Sequence, residues 1–414
     1  MYQKGALPRR AFLGLQIAPG PMSRGVDVVK VFDASAASRA GLHATDRLCA
    51  VNGRVVRDVR DVFDTARLVR IGERVVFRVE RGGRFVDLAS DAPPLPTELI
   101  EEGEVLLAHV RVRDYRLRTI YAVPRSPGPH PAILYLQGLR ADSCEAPLHP
   151  ELTLRRLVRS WVRAGFAVMR VERSGVGDSE GPSCETTDLQ VELDGYLAAL
   201  SDLQDFEDVD PRRVFLFGYS FGGMIAPLLA KDRDVAGVAV FGTSAQRWHE
   251  CIVASTLRQC ALAGYEGDLL DLEMARRTEL GVRVYREGFT PAQVFEQCPH
   301  LAALRSRDCN GATLFGRHVA LFQQLEAVDL GAAWQQVRAP VFVAHGEYDW
   351  ICSAEEARAI GAFTGSSSHR LEMPRIGHDM LAHRSLERSF RSSAEGVWDG
   401  RVADTTLAWM RGLP

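Results

Sequence analysis

An α/β fold built on a mainly parallel sheet, preceded by a small β-rich module, is predicted for this 414-residue chain. Three observations predict it. From about residue 99 onward, apolar runs of strand length alternate with helix-period patterns, and strands separated by helices form a parallel sheet covered on both faces. One such run, Val214-Phe215-Leu216-Phe217, ends in the turn Gly218-Tyr219-Ser220-Phe221-Gly222 and passes straight into a helical pattern. Residues 1–92 differ in kind: short apolar runs are punctuated by glycine, and 16 Arg and Lys face 10 Asp and Glu, a net of +6 that leaves −9 for the remainder. The length suits two domains, and a hydrophobic content of 46% gives both a core.

The first module, residues 1–92, opens with Phe12-Leu13-Gly14-Leu15-Gln16-Ile17. Val28 to Phe32 follows, then Ser35-Ala36-Ala37-Ser38-Arg39-Ala40-Gly41-Leu42, then Asp46 to Gly53, and a strand from Arg74 to Glu80 that ends at Arg81-Gly82-Gly83-Arg84. Over about eighty residues this order resembles a bacterial-type PDZ domain. The resemblance implies that the loop at Leu13, Gly14 and Leu15 offers backbone amides to a peptide carboxylate, while the adjoining strand edge accepts an extended peptide. Arg9 and Arg10, just before that loop, favour an acidic tail, so a peptide or protein carboxyl terminus is the expected partner. Nucleic-acid binding finds no support, because the basic residues are scattered and lack interleaved aromatics. Residues 93–98, within Ala92-Pro93-Pro94-Leu95-Pro96-Thr97-Glu98, read as a proline-stiffened linker.

Residues 99–414 open with a strand pair at Glu104 to Val112 and Leu117 to Val123. Strands follow at Ala132 to Leu136, around Val168, at Val214 and at Val235 to Phe241, with helical patterns at Leu152 to Ala164 and Leu189 to Leu203 between them. Roughly a hundred residues rich in helix formers and free of strand runs then interrupt the alternation. It resumes at Ala339 to Ala344 and closes with a short strand, His369 to Pro374.

A serine on a strand-to-helix turn flanked by glycines stands exposed at the carboxyl edge of a sheet, with the helix amino end favouring negative charge beside it. Its hydroxyl is a weak nucleophile until a histidine, oriented by a carboxylate, removes the proton. The run to Ala344 continues as His345-Gly346-Glu347-Tyr348-Asp349 and delivers Asp349 to the same edge, with Glu347 as the competing acid. The last strand runs into Arg375-Ile376-Gly377-His378-Asp379, which presents His378 there. His345 and His369 lie at strand ends, His383 is one helical turn late, and His130 and His149 precede the serine. The oxyanion donors are expected at the amide of Phe221 and at a second amide after Leu136, where Leu139 is preferred and Gly138 is the alternative.

Together these segments resemble the α/β-hydrolase family from about Leu99 to the end. Glu172-Arg173-Ser174-Gly175-Val176-Gly177-Asp178-Ser179 adds to the likeness, and no Lys-Ser/Thr pair follows to make a phosphate loop of it. The resemblance implies that the interruption, at about 244–335, is a helical cap that closes over the serine. Phe289, Phe295, Leu301, Leu304, Phe315, Phe322 and Leu325 are candidates for its pocket lining or its core. Gln137 stands where related enzymes often carry histidine. The implied chemistry is cleavage of an ester, thioester or amide through an acyl-enzyme on Ser220, without a cofactor. A peptidase, or an acyltransferase or cyclase, would use the same residues, and a catalytically weak PDZ adaptor is the alternative of another class.

Eight cysteines show neither CxxC nor a Cys/His cluster of metal spacing, so reduced thiols are expected and no metal site. The first ten residues lack an apolar stretch of signal-peptide length and no later run spans a membrane, which makes cytoplasmic residence the expectation.

Overall fold

The structure, a computed structural model, describes residues 7–20, 25–306, 308–365, 368–392 and 395–413. Most of the amino-terminal stretch read for a signal peptide lies outside the described residues. Pro8–Thr97 form one compact unit, and Leu7 with Glu98–Pro414 forms the other.

The smaller unit runs β1 (Leu15–Pro19), β2 (Val26–Val31), α1 (Ala36–Ala40), β3 (Arg47–Val51), β4 (Arg54–Val55), α2 (Val59–Ala66), β5 (Arg74–Arg81) and β6 (Arg84–Asp91). Its antiparallel sheet has the order β1-β2-β3-β5-β6, with β4 on β3. Period-two alternation makes β5 a strand with one buried face: Val75, Phe77 and Val79 are buried while Arg74 and Arg78 are exposed. Ser35 caps α1 by accepting from the Ser38 amide at 3.1 Å, and Gly41 closes the helix at φ 80°. β1 lies at the sheet edge, so its outer backbone groups lack a ladder partner. Residues 93–95, expected to be a spacer, pair with the module instead. The Pro93 carbonyl accepts from the Phe12 amide at 2.7 Å, and the Leu95 amide donates to the Arg10 carbonyl at 2.9 Å. Arg9, expected to draw an acidic tail, donates to the carbonyls of Leu95 at 3.2 Å and Pro96 at 2.9 Å.

The larger unit opens with β7 (Gly103–Val112) and β8 (Tyr115–Pro124), then β9 (His130–Leu136), α3 (Thr153–Arg163), β10 (Ala167–Val171), α4 (Leu189–Gln204), β11 (Val209–Tyr219), α5 (Phe221–Ala230) and β12 (Gly237–Phe241). The cap follows: α6 (Trp248–Leu262), α7 (Gly267–Gly281), α8 (Pro291–Gln297), β13 (Cys309–Asn310), β14 (Thr313–Leu314), β15 (Arg317–His318), α9 (Val319–Ala327) and α10 (Leu330–Gln335). The chain ends with β16 (Val341–Tyr348), α11 (Ala354–Thr364), β17 (Ser368–Gly377), α12 (Leu386–Arg391) and α13 (Arg401–Arg411). The cap is therefore not free of strands. Its three two-residue strands are too short to show an alternating pattern, which is why periodicity missed them.

The main sheet has the order β17-β16-β12-β11-β9-β10-β8-β7. β7 and β8 pair antiparallel, as do β8 and β10, and the remaining pairs are parallel. Neighbouring residues of β9 feed opposite cores: Leu134 and Leu136 pack with Leu203, Ile225 and Leu229 on one face, Ile133 and Tyr135 with Leu157, Trp161 and Phe217 on the other. Such two-sided burial explains why the central strands read as unbroken apolar runs. Among the described residues no helix is long and apolar enough to cross a membrane.

Candidate active site

Ser220 joins β11 to α5 at φ 53°, ψ −120°, a conformation that residues with side chains avoid. The turn is held by close packing. A Cβ at Gly222 would lie 2.0 Å from the Leu136 carbonyl oxygen, so only glycine lets the elbow seat against the end of β9. The Ser220 amide donates to the Phe241 carbonyl at 2.9 Å, which fixes the backbone of the turn against the end of β12.

His378 follows the last residue of β17, and its Nε2 lies 3.0 Å from Ser220 Oγ. Its Nδ1 lies 2.9 Å from Asp349 Oδ2. A proton on Nδ1, donated to the carboxylate, leaves Nε2 as the acceptor for the serine proton. Asp349 Oδ1 accepts from the amides of Ile351 and Cys352, each at 2.9 Å. Burial pushes the Asp349 carboxyl upward, but His378 and the surrounding donors outweigh it and hold the pKa below the ordinary carboxylate value. Glu347 accepts from the Arg375 amide at 2.7 Å in an exposed position and does not meet the imidazole. His383 meets Asp379 at 3.0 Å, His130 the Ser126 carbonyl at 3.1 Å, and His149 Glu151 at 3.1 Å. His345 is buried and His369 stacks on Phe342.

Phe221 is the first residue of α5, where an amide has no partner within its helix. On the facing loop the Gln137 amide donates to the Tyr196 hydroxyl at 3.1 Å and is used. The amides of Gly138 and Leu139 carry no hydrogen bond among the described residues. In the smaller unit the same holds for the amides of Leu13 and Gly14, and the Gly14 carbonyl accepts from the Phe32 amide at 2.9 Å. Gly14 has φ 72°, and a Cβ there would meet the Ser35 Cβ at 2.0 Å.

Ser220, His378 and Leu139 line a cavity of 1040 Å³ that continues between α6 and α7. Tyr135, Tyr219, Phe221, Trp248, Tyr285, Phe315, Trp350 and Phe390 give it aromatic walls. Of the cap residues considered for the lining, Leu304 and Phe315 reach the cavity. Phe295, Leu301, Phe322 and Leu325 are buried in the cap core, and Phe289 packs against it. Among the described residues, every Arg, Asp or Glu side chain on the wall has a partner: Arg140 meets Asp142 at 2.7 Å, Arg277 meets Glu273 at 2.6 Å, Asp379 meets His383, and Asp308 is likewise engaged. The cysteines are free thiols, Cys251 and Cys260 among them. The described residues contain no group of three or more His, Cys, Asp or Glu placed to hold a metal.

Glu192 and Arg317, a buried pair beside the loop after β9, are residues that sequence reasoning missed: Arg317 donates to the Leu139 carbonyl at 3.1 Å and to Glu192 at 2.9 Å. A signal for Glu192 existed: it falls on the stripe of Leu189, Tyr196 and Leu203 in a predicted helix, and an acid on a buried stripe demands a cation. Burial pushes its carboxyl upward, yet Arg173 and Arg317 hold it below the ordinary value. Glu98 lies below that value for the same reason, with Arg170 and Arg155 as its cations, and hydrogen bonds led by Arg159 lower Glu102 to about 2. Carboxylates depressed in the folded state stabilise it fully above their unfolded pKa and lose that contribution as pH falls through the folded one. Urea midpoints are therefore expected to drop as pH falls from about 4.5 toward about 2, and Glu102→Gln should flatten that slope. A variant profile parallel to wild type would contradict the assignment.

The sequence model of the family described as Hydrolase_4, serine aminopeptidase S33, matches residues 152–384, and a PDZ-domain model matches residues 11–89. Esterase EstD of Thermotoga maritima is 24% identical over 189 residues, covering 45% of this chain and 43% of EstD. The putative esterase NocK of Nocardia uniformis is 33% identical over 142 residues, 33% of this chain and 39% of NocK. The quorum-quenching protein AidA of Acinetobacter baumannii is 30% identical over 88 residues, 21% and 29% of the two chains. The chain thus spans less than half the length of these curated relatives. Among solved structures, Est1E from Butyrivibrio proteoclasticus has a TM-score of 0.47 at 14% identity, covering 74% of this chain and 97% of that one.

Proposed function

Since this chain belongs to the serine aminopeptidase S33 family of α/β hydrolases, we propose that it is a hydrolase that cleaves bulky, uncharged esters through an acyl-enzyme on Ser220. The observation that carries this reading is the chain of hydrogen bonds from Ser220 through His378 to Asp349 at the wall of a large aromatic cavity. His378 Nε2 takes the hydroxyl proton as Ser220 Oγ bonds to the substrate carbonyl carbon. The amides of Phe221 and Leu139 receive the oxyanion, and Asp349 holds the imidazolium. His378 then gives its proton to the departing alcohol, and a water enters by the reverse sequence to release the acid.

Paired charges on the wall support an uncharged substrate, because an ionised group entering the cavity would find no free counter-charge among the described residues to replace its lost hydration. The same feature weighs against an aminopeptidase, which needs an anion to hold the free amine. A labelling experiment with a fluorophosphonate, followed by turnover of aryl esters with neutral and charged acyl groups, tests the reading. Labelling lost in Ser220→Ala and a preference for neutral acyl groups support it. A folded, unlabelled wild type would favour the adaptor, and faster cleavage of substrates with a free amine would favour the peptidase.

The PDZ module is read as the holder of a substrate's or partner's carboxyl terminus, through the amides of Leu13, Gly14 and Leu15 and the edge of β1. A peptide with a free terminus is expected to bind the full-length protein, and amidation should abolish binding because it removes the charge those donors hold. Gly14→Val should weaken peptide binding and leave small-ester turnover intact, since a side chain at that φ collides with Ser35. Equal binding of free and amidated peptides would overturn the role.

A further inference from the structure

Resting on that serine-hydrolase reading, we infer that the cap residue Arg317 is a positioning residue for the oxyanion hole, acting together with Arg173 and Glu192. The observation is a set of hydrogen bonds to four consecutive carbonyls of the loop after β9. Arg173 Nη2 donates to the Gln137 carbonyl at 3.2 Å and to that of Gly138 at 2.6 Å. Its Nη1 donates to the Arg140 carbonyl at 2.6 Å. Arg317 Nη1 takes the remaining one, Leu139, at 3.1 Å. Both guanidiniums share one carboxylate, with Arg173 Nε on Glu192 Oε1 at 2.5 Å and Arg317 Nη2 on Oε2 at 2.9 Å. All three side chains are buried.

A trans peptide plane points its C=O and N–H in opposite directions, so fixing one residue's carbonyl sets the direction of the next residue's amide. Arg173 on the Gly138 carbonyl turns the Leu139 N–H away from the guanidinium. Arg317 on the Leu139 carbonyl pins the plane on the other side of the same residue. Leu139 is therefore held at both flanking planes, while its own amide and that of Gly138 carry no partner among the described residues. These amides belong to a loop that touches the elbow, since a Cβ on Gly138 would lie 3.7 Å from the Ser220 Cβ.

A buried ionic triad is a weak source of net stability, because desolvation offsets much of its Coulomb gain. Its placement beneath four carbonyls of one loop points instead to alignment. Arg317 is the member contributed by the cap, on β15, and its Nε also donates to the Cys184 carbonyl at 3.4 Å. One side chain thus ties the segment that covers the cavity to the loop that supplies an oxyanion donor.

The test uses the full-length protein and Arg317→Lys. Lysine keeps a cation opposite Glu192 but has a single nitrogen where the guanidinium fork reaches Glu192, Leu139 and Cys184 together. Three quantities are measured: kcat and KM for a neutral aryl ester, inhibition by a trifluoromethyl ketone carrying the same acyl group, and the ester's Kd in a Ser220→Ala background. The ketone adds to Ser220 and places an oxyanion in the hole, whereas the intact ester does not. Arg317→Lys is expected to lower kcat by about 10- to 100-fold and to weaken the ketone by the same factor, with KM and Kd within about 2-fold. Glu192→Asp, which draws both guanidiniums back by one methylene without unpairing them, should show the same split and serves if the lysine variant does not fold. Wild-type kcat in a folded variant, or equal weakening of ester and ketone, would overturn the inference. A Ser220→Ala enzyme that keeps more than about a hundredth of wild-type turnover would refute the serine reading itself. An inactive Ser220→Ala beside a fully active Arg317→Lys refutes the positioning role alone.

Discussion

Ser220→Ala is expected to lower kcat by on the order of 10⁶ while leaving the fold within about 0.5 kcal/mol of wild type. The hydroxyl donates one hydrogen bond, to His378 Nε2 at 3.0 Å, and alanine keeps the Cβ that the turn already accommodates. Loss of the nucleophile removes the acyl-enzyme route, so His378→Ala should cost a similar factor and the double variant little more, because the two act as one unit. A residual rate above that in water is expected, since the amides of Phe221 and Leu139 can still stabilise an oxyanion formed by direct attack of water. Steady-state rates with an aryl ester, read beside urea unfolding, check the prediction. Turnover above about a hundredth of wild type would place the nucleophile elsewhere.

The second large effect separates Asp349 from Glu347. Asp349→Asn should lower kcat by about 10⁴ although the geometry changes little. The asparagine oxygen can keep the amides of Ile351 and Cys352, and its NH₂ then faces His378 Nδ1. That reversal makes Nδ1 an acceptor and moves the imidazole proton to Nε2, where it can no longer receive the serine proton. Glu347→Gln should change the rate by less than about 3-fold, as for an exposed side chain whose partner is the Arg375 amide. If Glu347→Gln proved the more damaging of the two, the acid would be misassigned.

Ser220 and Asp349 were legible because each stands at the end of an apolar strand run and close to a glycine, and His378 because it follows Gly377 at the end of a short, mostly polar strand. The structure brings these three strand ends within 3.0 Å contacts because β11, β16 and β17 present their carboxyl ends to one edge of a parallel sheet. Leu139 and Gly138 stayed unresolved as donors for the opposite reason. Which amide faces the serine depends on peptide-plane orientation, and that orientation follows from Arg173 and Arg317 rather than from the Gln137-Gly138-Leu139 sequence.

Periodicity also separated the regular elements from the rest unevenly. The apolar runs of β9, β11, β12 and β16 were plain because burial on both faces forces them to be apolar throughout. The two-residue strands of the cap and the pairing of residues 93–95 with Ala11 and Arg10 left no trace of that kind. A segment of two or three residues cannot show a period, and its partner is chosen by what the chain brings beside it.

Local sterics and hydrophobic period, written in adjacent residues, were sufficient for the α/β class, the PDZ-like module and the serine turn. Tertiary structure decided everything that required distant groups to meet. Arg317 reaches Glu192 across 125 positions, Arg258 of α6 reaches Glu356 across 98, and Arg9 turns to the carbonyls of Leu95 and Pro96 instead of standing free. The physical reason is that a buried charge must find a partner, but any of 50 basic or 53 acidic side chains could serve, and only closure of the chain selects which one arrives.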